Sequence, residues 1–158
     1  MPAFAGLQTL VYGALCIYAG LRLCTAPAAL LDQLAPVTRL LEDKAGLKPH
    51  GAGDEASLAL AGLALAALGY SYLMSVYTLD RKAQMNGTSQ RLFLALGSYV
   101  LCKQTEHGSS LIALFGLVNL ASGLLMGFSV GWGDGNAVDL EIKARVETRR
   151  RAEAAKKQ

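Results

Sequence analysis

Residues 108–133 read GSSLIALFGLVNLASGLLMGFSVGWG and contain no charged side chain. About 20 consecutive apolar residues in a helix are long enough to cross the hydrocarbon core of a bilayer. The stretch therefore predicts a transmembrane helix, at about residues 109–132. Other weakly charged blocks of the chain predict three further spans, at about residues 3–22, 56–79 and 89–105.

The distribution of charge indicates one membrane domain with a tail. Of the 158 residues, 53% are hydrophobic and 17% are charged, and the charges collect between the apolar blocks and near the C-terminus. This pattern is typical of a polytopic membrane protein. We predict an all-α four-transmembrane-helix bundle in residues 1–133 and a basic, helical, soluble tail in residues 134–158.

Two connecting segments have a recognisable character. In residues 27–47 the leucines fall near one helical face and most charges fall elsewhere, which predicts an amphipathic segment in the first loop, divided into two short pieces by Pro36. Residues 83–90 are polar and predict a turn.

The third span is the least apolar of the four. Its uncharged centre, residues 92–102, has only 11 residues. A complete crossing requires Arg91 and Lys103 to extend their charged groups to the membrane surface. A re-entrant or interfacial helix is the alternative.

Small residues recur at helical spacing in the predicted spans. Such faces let two helix backbones approach closely, and in lipid this dispersion contact matters more than apolarity does. We therefore expect small-residue seams between the helices. The expected packing positions are Gly6, Gly13, Gly20, Gly62, Gly69, Gly116, Gly123, Gly127 and Gly131.

The sequence contains little that predicts chemistry. The three cysteines, Cys16, Cys24 and Cys102, lie in or beside apolar blocks without CxxC spacing, so we expect packing residues rather than disulfides. Neither a metal-ligand spacing nor a cofactor-binding motif is present, and we expect no metal and no cofactor. Asn119 is the clearly polar residue near the middle of a span, and because we expect no ionisable group at mid-span we do not expect proton-coupled transport.

Glu106 and His107 form the candidate catalytic pair. Together they could act as acid and base on a lipid-soluble substrate, assisted by Tyr70 or Tyr99. The simpler interpretation is that these polar residues end short helices.

The basic residues predict an orientation. With four spans, the N-terminus, residues 80–91 and the tail lie on one side with 10 of the 15 basic residues, against 5 on the other. The positive-inside rule then places both termini in the cytosol, or in the matrix of a mitochondrion. The glycosylation sequon at Asn86 is unmodified in that orientation. The endoplasmic reticulum and the inner mitochondrial membrane are both compatible.

Arg149, Arg150 and Arg151 form the most basic part of the tail. Such a cluster is suited to anionic lipids or to an acidic partner protein. No aromatic residue is interleaved with the basic residues of the tail, so we do not expect nucleic-acid binding.

Residues 10–13 (LVYG), 19–22 (AGLR) and 27–31 (PAALL) resemble the opening of DoxX-like four-helix membrane proteins. The order of four spans, with a long first loop and a basic C-terminus, is similar to the small endoplasmic-reticulum scaffold family that tethers sterol-synthesis enzymes. Both resemblances imply a four-helix bundle, and neither assigns a catalytic residue.

These observations lead to two expectations about function. The first is a non-catalytic integral membrane scaffold or accessory subunit of a larger complex, with membrane lipids and other membrane subunits as partners. The alternative is a small membrane-embedded enzyme, or a lipid- or sterol-binding protein, that acts on a lipophilic ligand.

Overall fold

The computed structural model describes residues 2–50, 55–130 and 146–149, and within them it is helical without any strand. This confirms the predicted all-α class. Residues 146–149 are helical, and the rest of the tail lies outside the described residues. The five main helices are α1 (Pro2–Thr25), α2 (Pro27–Ala45), α3 (Glu55–Tyr77), α4 (Arg81–Gln104) and α5 (Ser110–Val130).

Three of these helices are long and apolar enough to cross a membrane, and they identify the chain as a membrane protein. They correspond to the predicted first, second and last spans. Helix α4 is not in this group, because its mean hydropathy is too low: its first half carries Asn86, Gln90 and Arg91 among other polar residues. The three apolar segments are Gly6–Thr25, Ala56–Tyr77 and Ser110–Ser129.

Helices α1 and α3 form the most extensively packed pair, and they run antiparallel. Gly13 lies against Gly69, and about two turns further along α1, Gly20 lies against Gly62. A Cβ atom added at Gly20 would stand 2.4 Å from the carbonyl oxygen of Gly62, so only glycine fits this approach. The two backbones are in direct contact, as small-residue packing requires.

Helices α4 and α5 form the second antiparallel pair. A Cβ atom at Gly116 would lie 2.6 Å from the Cβ of Ser98, and one at Gly123 would lie 3.2 Å from the Cβ of Arg91. Contacts between helices of different pairs are far less extensive than contacts within a pair. The bundle is therefore two tight pairs with a looser boundary between them.

Helix α2 is continuous, and the prediction that Pro36 divides it is wrong. A proline removes one backbone donor and crowds the preceding turn, but packing on both sides can hold a helix through it. Leu30 is buried before the proline, and after it Glu42 accepts a hydrogen bond of 2.7 Å from the hydroxyl of Ser110 at the start of α5. The helix ends at Gly46, which has a positive φ of 61°.

The turn predicted at residues 83–90 is also wrong, because α4 begins at Arg81. The chain reverses in residues 78–80 instead, where Leu79 has a φ of 55°. The side chain of Asp80 then accepts a hydrogen bond of 3.0 Å from the backbone N–H of Ala83, which satisfies a free donor of the first turn. Asn86 consequently lies in a helix.

Candidate functional site

The candidate catalytic pair lies in the exposed connection between α4 and α5. Glu106 and His107 are both exposed, and their hydrogen bonds in this segment involve backbone atoms. Tyr70 lies about 22 Å along α3 from the end of the bundle that holds this connection. Tyr70 and Tyr99 are each 60% exposed. The structure does not assemble these residues into one enclosed site.

The remaining predicted positions divide into three groups. Four of the five predicted glycines of α1 and α3, and two of those of α5, lie at the helix contacts described above, and Gly127 is buried. Gly6, in contrast, has open space where a Cβ would be, so it takes no part in the α1–α3 contact. Gly131, Arg150 and Arg151 lie outside the described residues, and Arg149 is exposed.

A layer of polar side chains occupies the boundary between the two helix pairs. We call it the polar layer, and each of the four long helices contributes to it. The hydroxyl of Tyr12 donates to Oδ1 of Asn119 at 2.7 Å, and the hydroxyl of Tyr72 donates to Oε1 of Gln90 at 3.2 Å. Its members are Gln8, Tyr12, Tyr72, Thr88, Gln90, Arg91, Asn119 and Ser122.

Arg91 is the centre of the polar layer. Its side chain is 0% exposed, although it carries a charge. The guanidinium carbon lies 4.1 Å from the ring centre of Tyr12 and 5.0 Å from that of Tyr72. The two rings meet edge to face, with centroids 5.1 Å apart. Cation–π attraction to these rings favours the buried position.

The hydrogen bonding of Arg91 is incomplete. Nη1 donates to the carbonyl oxygen of Ser122 at 3.3 Å, while Nε and Nη2 have no acceptor. One turn earlier, the hydroxyl of Thr88 is also buried and has no partner. Buried donors without acceptors are rare in folded proteins, because each forgoes the hydrogen bonds it would make in water.

The expectation that Arg91 extends to the membrane surface is wrong, as is the expectation of no ionisable group inside the bundle. Residue 91 is near the middle of α4, and the tyrosines of α1 and α3 enclose its side chain. The sequence did contain a signal that was missed. Gln8, Thr9 and Tyr12 share one face of an otherwise apolar helix, which indicates that this face meets something polar.

An apolar groove lies on another side of the bundle, between α2, α4 and α5. Its volume is about 500 Å³, which is within the range of small-molecule sites. Leu92 and Tyr99 line it from α4, and Ala113 and Leu117 line it from α5. Leu41 closes it from α2. Arg91 does not line the groove, although its neighbour Leu92 does.

The described residues contain no cluster of three or more His, Cys, Asp or Glu side chains that could hold a metal ion. In the same residues all three cysteines are free thiols. The polar groups of the candidate site are those of Arg91 and of the hydroxyls and amides around it, and the apolar groove lies on another side of the bundle.

Comparison with protein-family models, with curated proteins and with solved structures found no match.

Proposed function

We propose that the protein is a multi-pass membrane protein with four spans, α1, α3, α4 and α5, that binds a lipophilic ligand in the groove beside α2. The groove is the observation that supports this proposal best, because it is almost wholly apolar and lies between three helices. A four-helix bundle is also what the resemblance to DoxX-like proteins and to the sterol-synthesis scaffold family implies.

The inclusion of α4 among the spans follows from how its side chains are distributed. It has 24 residues and is about 36 Å long, enough to cross a bilayer. Helix α4 is less hydrophobic than the other three helices partly because it carries polar residues that are buried inside the bundle, namely Thr88, Arg91 and Ser98. Its outward side is apolar in the second half, with Phe93 73% exposed and Leu96 61% exposed. The exposed residues of the first half, in contrast, include Asn86, Ser89 and Gln90. A helix of this kind suits a position at the edge of a bundle in lipid.

In the proposed orientation both termini are in the cytosol or the matrix, and the membrane is that of the endoplasmic reticulum or the inner mitochondrial membrane. The excess of basic residues on that side supports it. Asn86 would then receive no glycan.

The test of ligand binding uses native mass spectrometry of the full chain after mild detergent extraction. We expect a retained lipid-sized adduct on the wild-type protein. Ala113→Phe places a ring in the groove and should remove the adduct. Ala121→Phe is the matched control, because Ala121 is on the same helix, is exposed and does not line the groove. An adduct that survives Ala113→Phe, or is absent from wild type, would contradict the proposal.

The second candidate function is a non-catalytic scaffold or accessory subunit. Two glycines support it, because Gly6 and Gly97 have nothing within 4 Å of an added Cβ and so leave room for a neighbouring helix. Most of the other small-residue positions are already used inside the bundle, which is why we place this function second. Co-purification of a stoichiometric partner that is lost on Gly97→Leu would support it. The exposure of Glu106 and His107 gives a catalytic proposal no support.

A further inference from the structure

We propose that Arg91 is the binding residue of an oxyanion site in the polar layer, and that the ligand group is a carboxylate or a phosphate. This site is distinct from the apolar groove, and the inference does not depend on the groove being occupied. It rests on the charge, the orientation and the unused donors of one buried side chain.

The charge of Arg91 has no anionic partner in the structure. An arginine guanidinium keeps its proton in proteins, so burial cannot neutralise it. Among the described residues, the carbonyl oxygen of Ser122 accepts a hydrogen bond from Nη1, and no carboxylate accepts one from the guanidinium. Buried charges are normally paired, because an unpaired charge in a low-dielectric interior is costly. A bound anion would supply the missing partner.

The two unused nitrogens lie where a bidentate ligand would bind. Nε and Nη2 share one edge of the planar guanidinium, and their N–H bonds point in parallel directions. The two oxygens of a carboxylate or phosphate match this edge and accept both hydrogens. Nη1, on the other side, is already engaged with Ser122. The unused part of Arg91 is thus the part suited to an oxyanion.

The neighbouring residues orient this edge and add a donor. The rings of Tyr12 and Tyr72 lie 4.1 Å and 5.0 Å from the guanidinium carbon, so cation–π contacts help to hold the arginine in place. Thr88 is 1% exposed, lies three residues before Arg91 on the same helical face, and has a hydroxyl without a partner. Three buried donors are therefore available on one side of α4.

The boundary between the helix pairs provides a route to the site. Contacts of α1 and α3 with α4 and α5 are sparse compared with those inside each pair, and several of them are the hydrogen bonds of the polar layer. Separation of the pairs by a small movement would expose Arg91 without disturbing the glycine contacts. An oxyanion from the aqueous phase and the head group of an anionic amphiphile could both enter here.

The experiment measures equilibrium binding to the full chain in nanodiscs of phosphatidylcholine, a lipid without net charge. The probes are radiolabelled palmitate, acetate and inorganic phosphate. We expect saturable binding of at least one of them. Palmitate alone would identify a membrane amphiphile as the source, and acetate or phosphate would identify a water-soluble anion. No saturable binding of any probe would overturn the proposal.

The variants test whether Arg91 is responsible. Arg91→Lys keeps the charge but lacks the two-donor edge, and we expect about tenfold weaker binding. Thr88→Val should weaken binding less, and Arg39→Gln, an exposed arginine on α2, should leave it unchanged. Wild-type affinity in Arg91→Lys would overturn the proposal. So would palmitate binding that Ala113→Phe removes and Arg91→Lys does not affect, because that result locates the ligand in the groove.

A thermal measurement covers the case in which a variant folds poorly. The bound probe should raise the unfolding temperature of the wild-type protein and raise it less in Arg91→Lys. If Arg91→Leu instead unfolds at a higher temperature than wild type, and the wild type shows no shift with any probe, then Arg91 is only a structural residue and the proposal fails.

Discussion

The hydroxyl of Tyr12 donates a hydrogen bond of 2.7 Å to Oδ1 of Asn119, and this bond joins α1 to α5 across the boundary between the helix pairs. Both residues are buried, and Asn119 also donates through its side-chain nitrogen to the carbonyl oxygen of Phe115. The amide is thereby fixed in one orientation, with its oxygen towards Tyr12. Tyr12 also places its ring beside Arg91, so it has two roles in the polar layer.

Removal of the Tyr12 hydroxyl should destabilise the bundle. Tyr12→Phe keeps the ring beside Arg91 but leaves Oδ1 of Asn119 without that donor in a buried position. We expect a loss of about 1 kcal/mol, or about 3 °C in the unfolding temperature. Tyr18→Phe is the control, because Tyr18 is on the same helix and is 51% exposed. Equal unfolding temperatures for the two variants would contradict the assigned role.

Alanine should be tolerated at Gly6 of α1, which lies outside the α1–α3 contact, and should destabilise that contact at Gly20. Gly20→Ala would place a methyl group 2.4 Å from the carbonyl oxygen of Gly62, so the helices must move apart. We expect a loss of about 2 kcal/mol in stability. Gly6→Ala meets nothing within 4 Å and should be neutral or slightly stabilising. Thermal unfolding in detergent compares the two variants, and a reversed order would refute this description of the contact.

The proposed crossing by α4 predicts that its two ends lie on opposite sides of the membrane. Leu79 is 80% exposed in the turn before α4, and Glu106 is exposed after it. In a protein without native cysteines, Leu79→Cys and Glu106→Cys should react with a membrane-impermeant maleimide from opposite sides of sealed vesicles. Reaction of both from the same side would remove α4 from the spans.

The sequence predicted the positions of the apolar helices correctly, but it did not predict the structure of the segments that connect them. Long uncharged blocks predict helices in lipid because the bilayer leaves few alternatives for the backbone. The start of α4 was misplaced because residues 83–90 are polar, and polarity alone does not distinguish a turn from an exposed or buried polar helix. The hydrogen bond from the backbone N–H of Ala83 to the side chain of Asp80 fixes the start of α4. This cap is visible in the structure but was not recognised in the sequence.

The residues that surround Arg91 could not be predicted from the sequence of α4 alone. Tyr12 and Tyr72 are 60 residues apart in the chain, and they enclose the arginine only because α1 and α3 pack closely through their glycines. The small-residue positions were visible in the sequence, but their pairing was not. The site is thus a consequence of tertiary packing between three helices.

The close approach of α1 and α3 places both tyrosines beside Arg91, and one cross-linking measurement tests that approach directly. The thiol of Cys24 lies 3.2 Å from the carbonyl oxygen of Ala59. In native membranes, with Cys16 and Cys102 replaced by alanine, mild oxidation of the Ala59→Cys variant should form a disulfide within one chain. Leu60→Cys, where the side chain is 70% exposed, should form none. A dimer-sized product, or no disulfide in Ala59→Cys, would show that these faces do not meet inside the bundle.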